Sequence, residues 1–550
     1  MKAKFLLTLL VAVLALSLAV PALAQDGMGN MTTSDDGLIT YAAPECGYGG
    51  NILEIEAVDP LTVVFTLCAP DPAFPSKAAF SALSIFPSEF LEATGGGGEA
   101  LFRNPVGTGP YQLTEWNLGS EIVLNRFDDY WGEPAREETL IIRWNSEAAA
   151  RLVELQAGTA DGIDNPGVDD FAVIEADPNL ALFPREGLNV FYLGINNTVE
   201  PFNDVLVRQA LAHAIDRQRI IDNFYPEGSS AAGQFLPPQI FGYTPEVEPF
   251  PYDPERAREL LAEAGVELPI ETTLSYRDVV RTYLPTPGLV AQDIQIQLAE
   301  IGINVTIDLQ ESGTFLDNSD AGLLSLHLLG WGADYPDATN FLDFHFGVGA
   351  SDQFGDKFDE ITDALTRGGQ IADPEARLPI YEEANTAIRD LVPMVPIAHG
   401  ASGVAYAADI EGAHSSPLGN EQFFIMEDPD DDNIIWIQNG EPAGIYCADE
   451  TDGEALRVCE QINEALLAYE TAGTDVVPAL ATEFSANDDA TVWTFNLREG
   501  VTFHDGTGFD ANDVVMSYAV QWDVANPLHV GRDGNFTYFS AYFGAFLNDE

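Results

Sequence analysis

Apolar runs of strand length alternate with stretches of helical period through the middle of the chain. Leu188–Ile195 and Ile303–Leu309 are apolar and rich in β-branched residues, which is typical of buried strands. Gly288–Ile301 carries apolar residues at the spacing of one helical face and ends before Gly302. Because this alternation continues from about residue 190 to residue 400, the pattern predicts an α/β lobe there.

Two other patterns predict particular elements. Ile52–Leu67 alternates apolar and polar residues around a central turn signal, which predicts a β-hairpin. Val205–Phe224 has helical period throughout and predicts one long amphipathic helix. The predicted polar positions of this helix include Arg208, Arg217 and Arg219.

The stretch Leu326–Phe341, LHLLGWGADYPDATNF, joins a strand pattern to a polar end. The run Leu326–Leu329 predicts a buried strand, and glycine, aromatic and acidic residues follow it at once. Ligands of open α/β sheets bind beyond the carboxyl ends of the strands. Asp334 is therefore a candidate carboxylate in a partly dry pocket, where it would favour a cationic partner such as an ammonium. The alternative is an N-cap or turn aspartate in a Gly/Pro-rich loop.

Length and charge narrow the class of protein. A chain of 550 residues exceeds one hydrophobic core, which predicts two or more domains. Its 23 Lys+Arg against 88 Asp+Glu give a net charge of −65, which argues against binding to nucleic acid or anionic membranes. The acidic residues are spread along the whole chain. We interpret them as a solvated surface suited to high salt, since about 1 M salt shortens the Debye length to roughly 3 Å.

The N-terminus has the parts of a secretory signal peptide. Two lysines precede the apolar run Phe5–Val20, and an A-x-A cleavage site ends at Ala24. Residues 1–24 are therefore predicted to be removed, and residues 25–37, rich in Gly, Asp, Ser and Thr, to form a flexible lead-in. No Cys follows the cleavage site, so no lipid anchor is predicted. We expect an exported protein, periplasmic or otherwise extracytoplasmic.

Four cysteines fit an oxidising compartment. Of the three possible pairings, the spacing favours two local disulfides, Cys46–Cys68 and Cys447–Cys459. A four-Cys zinc site is the alternative, but neither pair has the C-x₂₋₄-C spacing of such sites.

Catalytic and metal motifs are largely absent from the sequence. It contains no HExxH, GxSxG or CxxC, and its seven histidines are scattered singly. MEDPDDDN, Met426–Asn433, hints at a calcium loop, but it lacks the sixth-position Gly and has Asn439 instead of Glu at the twelfth. A solvated acidic loop is the preferred interpretation. We predict no metal, no cofactor and no enzymatic activity.

Five segments together carry a combined signature. They are VVPALATEFSANDDATVWTFNLREGVTFHDGTGFDANDVVMSY (Val476–Tyr518), NPVGTGPYQLTEW (Asn104–Trp116), DDYWGEPA (Asp128–Ala135), FNDVLVRQALAHAIDR (Phe202–Arg217) and YDPERARELLAEAG (Tyr252–Gly265). This set resembles the extracytoplasmic solute-binding proteins of ABC importers, family 5, which bind oligopeptides, dipeptides or nickel. The resemblance covers nearly the whole mature chain. It implies an α/β, two-lobe periplasmic-binding-protein fold of class II type, with a hinge between the lobes.

The order of the segments differs from that family. The PALA to FHDG segment belongs near the family's N-terminus, before GTGPY, yet here it lies near the C-terminus. We interpret the chain as a circular permutant, which is tolerated where chain ends lie close together. A rearranged reading frame is the alternative. Mapped onto the family fold, residues 38–190 and 400–550 would form lobe I and residues 191–399 lobe II.

The resemblance also implies a ligand site. In peptide binders of this family, an aspartate in the matching G-W-x-x-D stretch binds the free amine of the peptide, and Asp334 is the residue that aligns. Arg281, with Arg277 as its competitor, would hold the carboxylate end. Gly332 and Ala333 would offer main-chain groups to an added strand. The pocket walls would be Trp331 and Tyr335.

We therefore expect a monomeric binding protein that captures a di- or oligopeptide between two lobes and delivers it to the permease of an ABC importer. An oligosaccharide or a nickel complex on the same scaffold is the near alternative. A secreted hydrolase with paired carboxylates is the alternative from another class; it would need two carboxylates with perturbed pKa values in one cleft.

Overall fold

Three large β-sheets organise the part of the chain that the computed structural model describes, residues 30–532 and 534–549. The predicted signal peptide and the first residues of the predicted lead-in lie outside the described residues. In chain order the strands are β1 Met31–Thr33, β2 Ile39–Ala42, β3 Ile52–Asp59, β4 Thr62–Leu67, β5 Tyr111–Asn117, β6 Glu121–Arg126, β7 Thr139–Trp144, β8 Gly162–Asp164, β9 Leu180–Arg185, β10 Asn189–Ile195, β11 Ser230–Ala231, β12 Ile270–Arg277, β13 Ile303–Gln310, β14 Leu326–Gly332, β15 Met394–His399, β16 Ser402–Ala407, β17 Asn433–Gln438, β18 Leu467–Tyr469, β19 Val476–Pro478, β20 Ala481–Ala486 and β21 Val492–Leu497.

Helices cover these sheets. In chain order they are α1 Phe74–Ala78, α2 Ser88–Thr94, α3 Glu99–Arg103, α4 Ala148–Gln156, α5 Phe171–Ala176, α6 Val205–Ala214, α7 Arg217–Phe224, α8 Pro254–Glu263, α9 Pro287–Glu300, α10 Ser312–Asp320, α11 Phe344–Phe346, α12 Asp359–Gly368, α13 Pro374–Leu391, α14 Gly453–Ile462, α15 Ala511–Trp522 and α16 Thr537–Phe543. A π-helical turn, Thr339–Asp343, runs directly into α11. Among the described residues, no helix combines the length and the apolarity needed to cross a membrane.

The first sheet has the order β1-β2-β3-β4-β21-β20 and is antiparallel throughout. Its centre is the predicted hairpin, because β3 pairs with β4 across the turn that follows Asp59. Part of the predicted lead-in is also ordered here: β1 pairs with β2, and Gly37, at φ +85°, closes the turn between them. The sheet thus combines four strands from the N-terminal part of the described chain with two from its C-terminal part.

The second sheet, β5-β6-β7-β17-β8-β16-β9, is mixed, with β7, β17 and β8 parallel at its centre. The third sheet, β11-β15-β10-β14-β12-β13, uses only residues between 189 and 399. Here β10 is buried along its whole length, and it pairs antiparallel with both β14 and β15. We call the first two sheets with their helices lobe I, and the third sheet with its helices lobe II.

Two short connections cross between the lobes side by side. One joins β9, which ends at Arg185, to β10, and the other joins β15 to β16 through Gly400 and Ala401. Asn189 ties them together: its Nδ2 donates to the Gly400 carbonyl at 2.7 Å, and its Oδ1 accepts from the Gly400 N–H at 2.9 Å. This paired crossing is the structural hinge of the two-lobe fold.

Gly187 allows the two crossings to approach each other. A Cβ atom at this position would lie 2.4 Å from the Gly400 carbonyl oxygen, which is a severe steric clash. We therefore expect Gly187→Ala to lower the free energy of unfolding by about 1–3 kcal/mol, since backbone and not a flexible side chain has to move. Urea denaturation measures this loss. Gly349→Ala is the control, because a Cβ there meets nothing within 4 Å; equal stability of the two variants would contradict the prediction.

The predicted single helix over Val205–Phe224 is wrong in one respect: it is two helices, α6 and α7, separated by Ile215 and Asp216. Asp216 is the N-cap of α7: its side chain accepts a hydrogen bond from the Arg219 N–H at 3.0 Å. Because an N-cap residue is not helical itself, α6 has to end before it. The same capping chemistry begins other helices. Aspartate side chains also cap α6, α8, α13, α14 and α15 at Asp204, Asp253, Asp373, Asp452 and Asp510.

Two of the three arginines that were predicted at polar positions are buried. Arg208 is 2% exposed, and its guanidinium donates to the carbonyls of Phe202 and Leu391. Arg217 donates to the Pro396 carbonyl at 2.7 Å. Both arginines therefore donate to main-chain carbonyls inside lobe II. Their polar positions in the helical pattern had predicted side chains that face solvent.

Both predicted disulfides are confirmed. Cys46–Cys68 has a Cα–Cα distance of 5.4 Å and Cys447–Cys459 one of 5.7 Å, within the range that disulfides occupy. The first joins the two ends of the β3–β4 hairpin. The second ties the segment after β17 to α14.

A closed ring of four buried charges lies in the core of lobe I. Arg185 contacts Asp164 at 3.3 Å and also Glu421. Arg457 closes the ring, with Nη2 at 3.1 Å from Asp164 and Nε at 3.1 Å from Glu421. All four side chains are 8% exposed or less. Because Arg185 is the last residue of β9, the ring anchors lobe I directly beside one crossing.

Candidate functional site

A cavity of about 350 Å³ lies where the two lobes meet. Lobe II contributes the end of β14 and the π-helical turn, and lobe I contributes the segment before and within α1 together with α16. The lining residues are Asn51, Pro70, Asp71, Pro72, Lys77, Trp331, Asp334, Tyr335, Thr339, Asn340, Asp343, Phe344, Gly369, Ala541 and Tyr542. The cavity therefore has walls from both lobes.

Asp334, the predicted ammonium ligand, lies in the wall of this cavity, and its role stays a prediction. Its Oδ2 accepts from Asn340 Nδ2 at 3.1 Å, and its own N–H donates to Asn340 Oδ1 at 3.0 Å. The hydroxyl of Tyr538, from lobe I, also bonds its carboxyl group. Burial raises the pKa of Asp334 to about 6, although both side-chain hydrogen bonds lower it. No cation pairs with this carboxyl group among its described neighbours.

Trp331 and Tyr335 are both wall residues, in different ways. Trp331 stacks on Phe344 with ring centroids 4.3 Å apart, and its Nε1 donates to Asn340 Oδ1 at 3.2 Å. Tyr335 is buried and meets Tyr542 of lobe I edge-on at 5.1 Å. Tyr335 is therefore part of the contact between the lobes, while one face of Trp331 is already covered.

Gly332 and Ala333 lie between these residues along the chain without lining the cavity. The Ala333 N–H donates to the Leu188 carbonyl at 2.8 Å and is not free to bind an added strand. Gly332 faces Asn189 in the alternate, non-hydrogen-bonded position, so its N–H and C=O point away from β10. The assignment of Gly332 and Ala333 main-chain groups to an added strand stays a prediction, with the Ala333 N–H already paired to Leu188.

Arg281 is not brought into this cavity. Its side chain is exposed, and Nη1 donates to the carbonyl of Val280 at 3.0 Å. Arg277, its competitor, contacts Ser312 Oγ at 3.0 Å and the Tyr283 hydroxyl at 3.3 Å. The assignment of Arg281 to the carboxylate end of a ligand stays a prediction.

Several cavity residues were missed from the sequence. Lys77 is buried; its Nζ lies 2.6 Å from Asp71 and 5.7 Å from the centre of the Tyr335 ring. Asp343 has an Oδ2 atom that is buried and has no hydrogen-bond partner among the described residues. Burial raises the pKa of Asp343 to about 7. Tyr542 follows Tyr538 by four residues on α16, which puts both on one helical face. This spacing is the one feature of the sequence that could have indicated the two tyrosines.

A second cavity, of about 370 Å³, lies within lobe I. Three glutamates line it, Glu460, Glu464 and Glu470. Burial raises the pKa values of Glu460 and Glu464 to about 8 and about 7. Glu464 is satisfied by protein donors, the Tyr130 hydroxyl at 2.9 Å and Trp131 Nε1 at 2.8 Å. This cavity has a wall from one lobe only and contains no predicted ligand residue. We therefore place the functional site in the interlobe cavity.

The described part of the chain contains no cluster of side chains that could form a metal site. No three His, Cys, Asp or Glu side chains converge there in a way that could hold an ion. The acidic loop at Met426–Asn433 instead binds its own backbone: the Asp428 carboxylate accepts from the Asp430 N–H at 2.9 Å.

Comparison with known proteins gives one consistent family. The model described as bacterial extracellular solute-binding proteins, family 5 Middle, matches residues 22–353 and 475–535. Heme-binding protein A of Haemophilus influenzae is 32% identical over 375 residues, which cover 67% of this chain and 69% of that protein. The dipeptide-binding protein of Escherichia coli K12 is 32% identical over 379 residues, 68% of this chain and 71% of that protein.

Solved structures agree with the sequence matches. HbpA2 from Haemophilus parasuis superposes with a TM-score of 0.64 at 27% identity, covering 73% of this chain and 90% of that one. The periplasmic binding protein DppA from Helicobacter pylori, in complex with the peptide STSA, gives a TM-score of 0.56 at 25% identity and covers 72% of this chain and 87% of that one.

Proposed function

Because this chain belongs to the bacterial extracellular solute-binding proteins of family 5, which are transport binding proteins and not enzymes, we propose that it captures a peptide between its two lobes. It then delivers the peptide to the membrane permease of an ABC importer. Because the members of this family are binding proteins, we no longer consider the alternative of a secreted hydrolase. Relatives named as dipeptide- and di/tripeptide-binding proteins support the peptide as ligand.

One observation carries this proposal: Asp334 presents a partly buried carboxyl group, without a cationic partner, to a cavity that both lobes enclose. A buried carboxylate is unfavourable unless a positive charge joins it. The free ammonium of a peptide supplies that charge, and Asn340 orients the carboxylate toward it. The outward main-chain groups of Gly332 are suited to pair with the peptide backbone as an added strand.

The cavity favours a peptide over the two near alternatives. Phe344 already stacks on one face of the Trp331 indole, which leaves a sugar ring only the opposite face. No histidine is among the described residues that line the cavity, so a nickel ion would depend on ligands that it brings with it.

Isothermal titration calorimetry of the whole protein tests the proposed function. We expect alanyl-alanine to bind, and N-acetyl-alanyl-alanine, which lacks the ammonium, to bind about 100-fold more weakly. This ratio corresponds to roughly 3 kcal/mol, the scale of a charge-assisted hydrogen bond. A maltotriose and a nickel–histidine complex serve as the comparison ligands. Equal affinity for the acetylated dipeptide, or binding of only the sugar or the nickel complex, would overturn the proposal.

We also propose export with cleavage after Ala24 and a monomeric state. Circular permutation is our account of the segment order. Its support is the placement of the first and last described segments, because Asn30 Nδ2 and Asn548 Nδ2 donate to the two oxygens of the Asp523 carboxylate, at 3.0 and 2.7 Å. Neighbouring ends are the condition under which a fold tolerates permutation.

A further inference from the structure

The interlobe cavity holds a second carboxyl group that the binding of a simple ammonium does not use. Asp343 is the last residue of the π-helical turn, and its Oδ2 is buried without a hydrogen-bond partner among the described residues. Asn340, whose amide holds Asp334, lies three residues before it in the same turn. Asp343 therefore belongs to the turn whose Asn340 holds Asp334, and both carboxyl groups line one cavity.

The two cationic side chains near these carboxyl groups already form ion pairs with other aspartates. Lys77 lies 2.6 Å from Asp71 Oδ2, and it also donates to the Tyr542 carbonyl at 2.9 Å. Arg377 forms a bidentate pair with Asp337, at 2.8 and 2.9 Å. Each of these pairs is neutral and buried. Asp334 and Asp343 are thus the two carboxyl groups of the site that have no charge partner of their own.

The charged groups around Asp343 come from three elements. They are Asp337 on the preceding loop, Arg377 on α13, and Lys77 and Asp71 on the facing side of lobe I. Burial is the largest cause that raises the pKa of Asp343, followed by Asp337, while Arg377 and Lys77 lower it. The net result is a pKa of about 7, so that near neutral pH the empty site exchanges a proton at this carboxyl group.

We propose that the cavity selects a guest with two cationic groups, a peptide whose first residue has a basic side chain. The α-ammonium binds Asp334, and the side-chain ammonium or guanidinium binds Asp343. Both carboxyl groups line the same cavity, and a lysine carries its side-chain ammonium on a flexible four-carbon stem that can reach a second acidic group there. This inference rests on the proposed function and adds a specificity-determining residue, Asp343, to it.

The test compares lysyl-alanine with norleucyl-alanine, which has the same chain length without the second charge. We expect the wild-type protein to bind lysyl-alanine at least about tenfold more tightly, since a charge-assisted pair in a buried site is worth that much or more. In Asp343→Asn this ratio should fall to about one. The exposed Asp317→Asn, on α10 of the same lobe, is the matched control and should keep the wild-type ratio.

Proton release gives a second readout that needs no variant. Titrations at pH 7 in two buffers with different ionisation enthalpies report the number of protons exchanged on binding. Lysyl-alanine should release about half a proton from Asp343, because this group is half ionised at pH 7 and a neighbouring cation favours the carboxylate. Norleucyl-alanine should release less. A purely structural role for Asp343 would leave the two peptides equal in this measurement.

The outcomes separate the two claims. If norleucyl-alanine binds and lysyl-alanine binds no more tightly, or if Asp343→Asn keeps the preference, the selection of a dication is wrong while peptide capture stands. If neither peptide binds the wild-type protein, peptide capture itself is wrong and this inference fails with it.

Discussion

Replacing Asp334 by asparagine is expected to weaken the binding of a neutral-side-chain dipeptide about 100-fold. The substitution keeps an oxygen that accepts the hydrogen bond from Asn340, so the local geometry is preserved. It removes the negative charge that the peptide ammonium meets, and a buried charge-assisted pair contributes about 3 kcal/mol. Calorimetric titration of alanyl-alanine measures the change. Asp317→Asn is the control, since it removes one exposed carboxylate from the same lobe.

The pH dependence of the same binding follows from the pKa of Asp334, about 6 in the empty protein. The ammonium favours the ionised carboxylate, so affinity should fall as pH decreases through 6, approaching tenfold per pH unit below it. Above pH 6 the contribution of this residue is complete. Asp334→Asn should lose this dependence between pH 5 and 7. An unchanged affinity in the variant, or the same pH profile, would remove Asp334 from the role of ammonium anchor.

Some parts of this site follow from local sequence. Asp334 could be predicted because a buried strand, β14, has to end in polar groups, and Gly330 and Gly332 mark that end. The disulfides could be predicted because each pair closes a short loop, and the β3–β4 hairpin because its alternation of apolar and polar residues matches a half-buried sheet. In each case the residues that determine the feature are close to one another in the sequence.

Other parts depend on contacts that no local pattern encodes. Asp343 is one of 88 acidic residues, and only its position opposite lobe I, beside two pairs that are already neutral, distinguishes it. Arg208 is buried because the carbonyls at the end of α13 are in reach of its guanidinium. Asn189 ties the hinge through Gly400, which lies 211 residues away. Tertiary structure, not periodicity, assigns a role to these polar residues.

Removing one charge from the buried ring of lobe I should have the largest effect on stability. Arg457→Met leaves Asp164 and Glu421 with Arg185 as their remaining partner in the ring, and a buried carboxylate without its partner costs about 3–5 kcal/mol. Urea denaturation of the whole protein, followed through the tryptophan fluorescence of lobe I, measures the loss. Arg256→Met is the matched control. It also removes an arginine that contacts two glutamates, but that side chain is 38% exposed, so a much smaller loss of stability is expected.

The second arm of this experiment neutralises the carboxylate as well. Arg457→Met combined with Glu421→Gln should recover part of the lost stability, because the unpaired buried charge and not the missing guanidinium is the main cost. Acid should act in the same way. Burial alone would raise the pKa of Glu421, but Arg185 and Arg457 bring it down to about 2. The stabilisation from Glu421 is therefore complete above its unfolded pKa near 4.5 and is lost as pH falls through 2. The difference between wild type and Arg457→Met should accordingly shrink between pH 4.5 and pH 2, and a constant difference over that range would show that the ring stabilises lobe I by packing alone.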